Sequence, residues 1–449
     1  SLMGKYEASI AALTKLDAKN IFIRLEASRY PPLYYIPASI IYKLFYAQDL
    51  FTRVFAVRFW SLLLFLANIY FIYKIGHLIL SKNNLLVIAL TCLVGFQPMM
   101  VFSNVGVNSD ALGNFLFTIF LYLSLKIIIG GLKTRQLLFL ILITVFCLYT
   151  KPQFIVTLPL LVLILLLKFC LFRSPDSPLE SPLQDKPFGH IMDAAKHFVI
   201  IGGLITFFYL LYRLNIGPFS LIGRFINILD FQSLIKFTWE YTLPHTYKEV
   251  MPWYWGIYDW LGVTYPRIVH RIINWVVLFS GVGFGVWIIK IIKERAFKEK
   301  KVQAIFFLIF SHLIFFLGIS FYDWLSWYSQ KYPLGVQGRY FFPLISSHMV
   351  ILLLGWESLF PDKWSLKELG IKILGIFMVM LNFFALHTVA RTYYDISTCQ
   401  NFLWQASQYK PWFFKGAWLV ILGFIYFMTI IVFLIEYIRY PYEKKSQRN

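Results

Sequence analysis

Three polar clusters that could do chemistry stand at the ends of long apolar runs. Asn108 and Asp110 lie in VNSDALGN, just before one such run. Lys151 lies in TKPQ, between two runs, and Arg339 lies in QGRYFFP, at the start of another. A carboxylate in such a corner can act as a general base or a metal ligand. Arginine binds phosphate through paired hydrogen bonds and lysine binds it as a point charge, so these residue types together suit an anionic ligand.

Two further segments combine charge with aromatic rings. Glu26, Arg29 and Tyr30 stand at the prolines of YPPLYY, which lack amide donors and favour an extended approach to a helix. In MPWYWGIYDW, residues 251–260, five of the ten residues are aromatic. Aromatic faces bind sugar rings and acyl chains, but they also hold a loop on a membrane surface. The residues that we expect to contact a substrate are Asn108 and, in this segment and beside Arg339, Trp253, Trp255, Tyr258, Asp259 and Gln337.

Each cluster also has a purely structural interpretation, and the sequence leaves both open. Asn108 or Ser109 could cap the following helix, in whose first turn Asp110 would be favoured by the helix dipole. Lys151 and Arg339 could extend along apolar surface to the lipid head groups, as long cationic side chains do at a membrane interface. Whether Asp110 holds a divalent metal stays open as well.

The composition is that of an integral membrane protein. Of the 449 residues, 59% are hydrophobic and 14% are charged, whereas soluble domains average roughly 25% charged residues. The net charge of +20 indicates loops that set the topology and face anionic lipid. Nucleic acid is not expected as a partner, because it would require a basic soluble face and the sequence offers none.

Eleven apolar runs have about the length that spans a bilayer, roughly 20 residues. We predict an all-α polytopic membrane protein with these runs as transmembrane helices and with an interfacial helix between Pro31 and Ala47. The predicted spans are 54–80, 84–104, 107–130, 135–150, 152–173, 196–214, 269–292, 302–321, 340–360, 369–390 and 416–437.

Basic loops predict the orientation, because lysine and arginine accumulate on the cytoplasmic side. KERAFKEKK (293–301) and the carboxyl-terminal tail are placed inside, and alternation then places the loops that carry the polar clusters outside. An amino terminus outside, without a signal segment, predicts a further helix upstream of Ser1. The chain divides into an outer segment with the interfacial helix (1–53), an amino-terminal transmembrane core (54–214), a large outer aromatic loop (215–268) and a carboxyl-terminal transmembrane region (269–449).

Several other chemistries have no motif in this chain. It holds no HExxH and no GxSxG, and its one GVGFG stretch lies inside an apolar run. The four cysteines and eight histidines lack metal-ligand or redox spacing. Lys74, Lys168 and His312 lie near the ends of predicted spans or stand alone, whereas a proton-coupled transporter usually carries more intramembrane carboxylates.

Four motifs in a fixed order resemble an uncharacterised bacterial membrane-protein family of the GT-C glycosyltransferase superfamily. They are YPPLYY, the N-x-D-A of VNSDALGN, YWGIYDWLG and QGRYFFP, and they extend from about Glu26 to Pro343. The superfamily includes protein O-mannosyltransferases and the lipid A aminoarabinose transferase. The resemblance implies a multi-helix enzyme of the plasma membrane that takes a sugar from a polyprenyl-phosphate carrier on the outer face and passes it to an extracytoplasmic acceptor.

The resemblance also implies a catalytic acid. Asp110 matches the acid that such proteins often carry in the second outer loop. The essential acid of the first outer loop has no clear match, which leaves Glu26 or a residue upstream of Ser1. Such a carboxylate would deprotonate the acceptor hydroxyl.

Cations beside the two prolines and in the later loops are implied to meet the carrier phosphate. The position beside the prolines is Tyr30, with Arg29 next to it, so the match is imperfect. Lys151, Arg339 and Arg29 would neutralise the phosphate as negative charge develops on it. The sequence also allows a transporter or flippase for lipid-linked sugars, and at lower weight a scaffold in envelope assembly.

Overall fold

The computed structural model describes residues 31–80, 83–167, 230–259, 261–361 and 364–442, together with five single positions between 202 and 213. Nearly all of them belong to one compact unit, Pro32–Asn449. These residues are almost entirely helical, and the two strands among them are the short antiparallel pair β1 (Ile257–Tyr258) and β2 (Val263–Thr264). The predicted all-α membrane class is thereby confirmed.

The amino-terminal half is a series of helices joined by short turns. A 3-10 helix at Pro152–Val156 leads into the last of them. The helices are α1 (Tyr35–Leu44), α2 (Leu50–Leu80), α3 (Asn84–Gly95), α4 (Pro98–Asn104), α5 (Asp110–Gly130), α6 (Thr134–Leu148) and α7 (Thr157–Leu166).

The carboxyl-terminal half opens with a continuous helical stretch, 231–255, in which α and π turns alternate. Its α-helical parts are α8 (Phe231–Phe237), α9 (Leu243–His245) and α10 (Met251–Trp255). Six α-helices follow the β1–β2 hairpin among the described residues, and a 3-10 helix at Gly338–Leu344 runs into the third of them. They are α11 (Arg267–Lys293), α12 (Lys300–Gln330), α13 (Ile345–Ser358), α14 (Trp364–Tyr393), α15 (Cys399–Ser407) and α16 (Ala417–Arg439).

Seven helices among the described residues are long and apolar enough to cross a membrane, or eight if the bent pair α3–α4 counts as one span. Two further predicted spans, 135–150 and 152–173, correspond to the shorter apolar helices Thr134–Leu148 and Pro152–Leu166. The predicted span 196–214 lies mostly outside the described residues. The predicted interfacial run contains α1, so its helical character is confirmed.

The predicted span 84–104 is broken by a bend of 58° between α3 and α4. Pro98 is the cause, because the residue before a proline avoids the helical conformation, and Gln97 is accordingly extended. The Gln97 side chain accepts a hydrogen bond from the Met100 amide and donates one to the Tyr254 carbonyl at 2.6 Å. The break thus joins the first half of the chain to residues 251–260, called the aromatic stretch below.

Buried aromatic rings fix the amino-terminal end of α5 against the turn that follows α6. The Phe117 ring packs against Phe154 and Phe315, with centroid distances of 5.8 and 5.5 Å. All three rings are buried, and between apolar helices in a bilayer such contacts stabilise the fold through van der Waals packing. Gly113 lies directly beneath Phe154, where a Cβ would come within 2.6 Å of the ring. This packing holds α5 and the Lys151 turn side by side.

Candidate functional site

Asp110 and Lys151, predicted separately from the sequence, form an ion pair. Asp110 is the first residue of α5 and Lys151 directly precedes the 3-10 helix at Pro152–Val156. The Lys151 ammonium contacts Asp110 Oδ1, and the two side chains are only 12% and 9% exposed. The charge of each group is therefore balanced in a site that is largely closed to water.

Asn108 shapes the turn that presents Asp110. Its Oδ1 accepts a hydrogen bond from the Asp110 amide at 2.9 Å, and its Nδ2 donates to the Ser103 carbonyl at 2.7 Å. Ser109 makes no side-chain capping bond. Of the two residues that could cap α5, Asn108 is thus the one whose side chain engages the turn, which leaves the Asp110 carboxylate facing Lys151.

Arg339 joins this pair through Tyr340. The Arg339 Cζ lies 5.9 Å from the Tyr340 ring centroid, and the Lys151 Nζ lies 6.0 Å from the same centroid. Contacts of a cation with a tyrosine ring are worth about 0.5–1 kcal/mol at exposed sites and more when desolvated. Both predicted cations therefore lie beside the same phenol ring.

The Arg339 side chain keeps an unused donor. Its Nε is buried, and no hydrogen-bond partner for it exists among the described residues. A buried polar group without a partner costs about 1–3 kcal/mol, and more when it is charged. The guanidinium is thus ready to bind an acceptor, and Asp110, Lys151 and Arg339 together carry one positive charge in excess.

Gly338 brings the QGR motif into contact with the aromatic stretch. A Cβ at this position would lie 2.2 Å from the Tyr254 amide nitrogen and 2.4 Å from its Cα. Only glycine permits this approach of two backbones. The backbone of the QGR motif therefore lies directly against that of Tyr254. His245 adds a second link, since its Nε2 lies 2.9 Å from the Val336 carbonyl oxygen.

The aromatic residues of 251–260 differ in their surroundings. Trp255 and Tyr258 are buried in the core, where the Tyr258 hydroxyl lies 3.1 Å from that of Tyr265. Burial raises the pKa of Tyr258 to about 12. These two rings support the stretch from inside, whereas Trp253 is half-buried, with its edge against His245.

Asp259 and Gln337, two more of the predicted ligand-binding residues, lie at the ends of turns. Asp259 is exposed in the β1–β2 hairpin, has a positive φ of 49° and donates its amide hydrogen to the Tyr393 hydroxyl at 3.1 Å. Gln337 is half-buried, and its carbonyl accepts a hydrogen bond from the Tyr340 amide at 3.0 Å. The predicted residues Glu26, Arg29 and Tyr30 lie outside the described residues.

A buried carboxylate, Asp323, was missed by the sequence reading. It is 1% exposed, and its Oδ1 accepts a hydrogen bond from the Leu334 amide at 2.7 Å, which holds the loop that leads to the QGR motif. The predicted span ended at 321, but α12 continues to Gln330 and carries Asp323 within it. The sequence sign of this residue was the YDW at 322–324, which repeats the YDW at 258–260 and places an acid between two aromatic residues.

A histidine pair lines a cavity of about 420 Å³ between α11, α12, α13 and the aromatic stretch. The Tyr254 hydroxyl lies 3.0 Å from His348 Nδ1, and His348 Nε2 lies 2.7 Å from His312 Nδ1. The expectation that His312 stands alone is therefore wrong. The spacing of 36 residues between the two histidines gave no local signal, because separate helices bring them together.

Metal ligands do not cluster in the part of the chain that the structure describes: no group of three or more histidine, cysteine, aspartate or glutamate side chains there could hold an ion. Asp110 instead takes a cation, Lys151, as its partner.

The chain belongs to a family of predicted membrane proteins, DUF2142, whose model matches residues 6–347. That range contains all four motifs and every site residue predicted from the sequence, and it ends one residue before His348. Searches of curated proteins and of solved structures gave no match.

Proposed function

We propose that this member of the family is an integral membrane glycosyltransferase that transfers a sugar from a polyprenyl-phosphate donor to an extracytoplasmic acceptor. The observation that carries the proposal is the cluster of Asp110, Lys151 and Arg339, with its excess positive charge and the unpartnered Arg339 Nε. A phosphate would supply the acceptor that this donor lacks. The four motifs that resemble GT-C glycosyltransferases support the same reading.

Arg339 and Lys151 would hold the donor phosphate in this reaction. An ammonium has three donors, so Lys151 can keep its bond to Asp110 and still contact a phosphate oxygen. A guanidinium can bind two phosphate oxygens at once. Both cations would stabilise the negative charge that develops on the leaving phosphate when the bond from the sugar C1 to the phosphate oxygen breaks.

A carboxylate would take the proton of the attacking hydroxyl. The acceptor oxygen forms the new bond to C1 on the face opposite the phosphate, so the configuration inverts, and its proton passes to the base. Asp110 is the base that the described residues offer, while Glu26 is the alternative.

The basic loops support an active face on the outside and a carboxyl terminus in the cytoplasm. The donor and the acceptor would then meet at the outer surface of the plasma membrane. In this orientation the Asp110 turn, the Lys151 turn and the QGR loop all open to the same side.

A transporter for lipid-linked sugars is the second candidate, and one observation favours it. Tyr254, His348 and His312 form a hydrogen-bonded chain beside a cavity within the helical bundle. Titratable groups inside a membrane often mark proton or substrate pathways. The cavity is otherwise almost wholly apolar in its lining.

Purified protein in vesicles with a polyprenyl-phosphate sugar, labelled in the sugar, tests the two candidates. A glycosyltransferase breaks the bond between sugar and phosphate and releases polyprenyl phosphate in step with labelled acceptor. A transporter moves the lipid to the other leaflet with that bond intact. Translocation of intact lipid by vesicles in which cleavage is undetectable would overturn the enzyme assignment. In the same assay Arg339→Lys should lose activity. Arg391→Lys, which changes an exposed arginine in the last turn of α14, is its matched control and should not.

A further inference from the structure

A second cavity, with a cation in its wall, lies between α1, the first turns of α2 and the 3-10 helix at Trp412–Phe414. Its volume is about 510 Å³, within the range of roughly 300–1,000 Å³ that is usual for small-molecule sites. Most of its wall is apolar, with Ile41, Phe59, Leu63 and Phe414 among the lining residues, and Arg58 is the cation in that wall. Neither Asp110, Lys151 nor Arg339 contributes to it.

Arg58 lines this cavity, and a second cation, Lys410, lies near Arg58 without lining the cavity itself. The Arg58 Nε donates to the Val105 carbonyl at 3.0 Å, and its Cζ lies 5.1 Å from the Phe55 ring centroid. Lys410 lies three residues before Phe413 of the cavity wall, with its Nζ 5.4 Å from the Tyr394 ring centroid. Burial and the positive charge of Arg58 both lower the pKa of Lys410. The two groups are therefore close enough to repel each other.

No carboxylate among the described residues pairs with either cation. Both side chains are half-buried, so water screens their repulsion less than it would at an open surface. Trp60, which also lines the cavity, has a buried indole N–H for which no hydrogen-bond partner exists in the described part of the chain. Arg58 and Trp60 thus bring two donors to an apolar space, with Lys410 close to Arg58, and no carboxylate among the described residues balances the two cations.

We infer that this cavity binds an anionic phospholipid, whose phosphate lies between Arg58 and Lys410 and whose acyl chain fills the apolar space. The Trp60 indole supplies a donor for an ester oxygen of the same lipid. Charge complementarity selects an anion, and the apolar wall selects one that carries a hydrocarbon chain. The inference is independent of the proposed enzyme activity.

The position of the cavity in the fold supports a lipid as the occupant. Phe59, Leu63 and Leu66 of α2 are more than 40% exposed, as expected for a helix that faces hydrocarbon. Two of these residues, Phe59 and Leu63, also line the cavity. The bilayer itself therefore delivers the ligand to the site along α2.

Thermal unfolding of the full chain in detergent, titrated with phosphatidylglycerol, tests this inference. We expect a saturable rise in Tm that neither phosphatidylcholine nor inorganic phosphate reproduces at the same concentrations. R58Q/K410Q should weaken the apparent affinity at least tenfold, because charge-assisted hydrogen bonds to the phosphate are lost. K410Q alone changes the structure less, and it should also weaken the apparent affinity for phosphatidylglycerol.

Two matched variants separate the site from general effects of charge. A56F places a ring in the cavity, which Ala56 lines, and keeps both cations, so it should abolish the stabilisation by phosphatidylglycerol. K133Q/R135Q removes two exposed cations elsewhere and should leave the stabilisation unchanged. Unaltered affinity in K410Q and A56F would overturn the inference. Equal stabilisation by inorganic phosphate would make this a site for free anions, and equal stabilisation by phosphatidylcholine would make it non-specific; either result also overturns it.

Discussion

Lys151 and Asp110, 41 positions apart in the chain, form an ion pair that is almost closed to water. Removal of one partner from a buried pair leaves an uncompensated charge and costs about 3–5 kcal/mol, whereas removal of both can be nearly neutral. This relationship allows the structural role of the two residues to be separated from a role in catalysis.

Asp110→Asn and Lys151→Met should each lower the free energy of unfolding by about 3 kcal/mol, the lower end of that range because both side chains keep slight exposure, since each leaves its partner unpaired in a poorly hydrated site. The double variant should recover most of that stability. If the two groups take part in sugar transfer, both single variants and the double variant should be inactive. The measurements are Tm and sugar transfer on the same preparations.

Glu368→Gln is the matched control for these variants. Glu368 pairs with Lys372 on α14, away from the candidate site, and that lysine side chain is equally buried at 12% exposure. The change should lower the stability and leave transfer intact. Recovery of both stability and transfer in the double variant would reduce the Asp110–Lys151 pair to a structural element.

Arg339→Lys distinguishes a phosphate clamp from an interfacial anchor. An ammonium cannot reproduce the paired hydrogen bonds of the guanidinium, and each charged hydrogen bond is worth about 1.5–3 kcal/mol. Use of the donor lipid should therefore fall roughly ten- to a hundredfold, at about 1.4 kcal/mol per decade, and further in Arg339→Ala. Kinetics with a fixed acceptor at varied donor concentration measure this. If Arg339→Lys uses the donor lipid as well as the parent does, the phosphate must be held by Lys151 or Arg29 instead.

Gly338→Ala should destabilise the protein, because the new methyl group would overlap the Tyr254 backbone. Overpacking of this kind costs about 1–3 kcal/mol. Transfer should fall with it, since Arg339 and Tyr340 would be displaced. Gly130→Ala at the end of α5, where a Cβ would meet nothing within 4 Å, should leave Tm unchanged or raise it. A Tm for Gly338→Ala equal to that of Gly130→Ala would contradict the close approach of the two backbones.

The orientation can be tested with a cysteine that the chain already carries. Cys399 is exposed and lies in the predicted outer segment 391–415, so an impermeant thiol reagent should label it in intact cells. Tyr247→Cys, at an exposed position of the predicted outer loop 215–268, should also label. Phe297→Cys and Lys445→Cys, made in a Cys399→Ser background, should react only after the cells are opened. Labelling of position 297 from outside would reverse the orientation.

The sequence predicted the helices better than their ends. Apolar runs locate spans because the bilayer demands about 20 apolar residues in a row. Pro98 inside the run 84–104 was a visible sign of the bend, since the residue before a proline avoids the helical conformation. The extension of α12 past position 321 was less visible, because Asp323 is a polar residue that burial and the Leu334 amide accommodate.

The site residues were predicted one by one, but their pairing was not. Asp110, Lys151 and Arg339 each stood out as a polar residue at the end of an apolar run. Their contacts depend on how Phe117 packs against rings from two other segments, which no local pattern encodes. The same limit applies to Trp255 and Tyr258, because an aromatic residue suits a buried core as well as a ligand surface.

The contact between Gly338 and Tyr254 has a mechanical consequence. Their backbones touch, and His245 contacts the Val336 carbonyl oxygen, so segment 336–338 cannot shift against segment 245–254 without disturbing these contacts. Tyr254 is in turn bound to Gln97 through its carbonyl oxygen and to His348 through its hydroxyl. The place of Arg339, the residue after Gly338, is therefore fixed from outside its own loop, and an anion that binds there meets a guanidinium that is already in position.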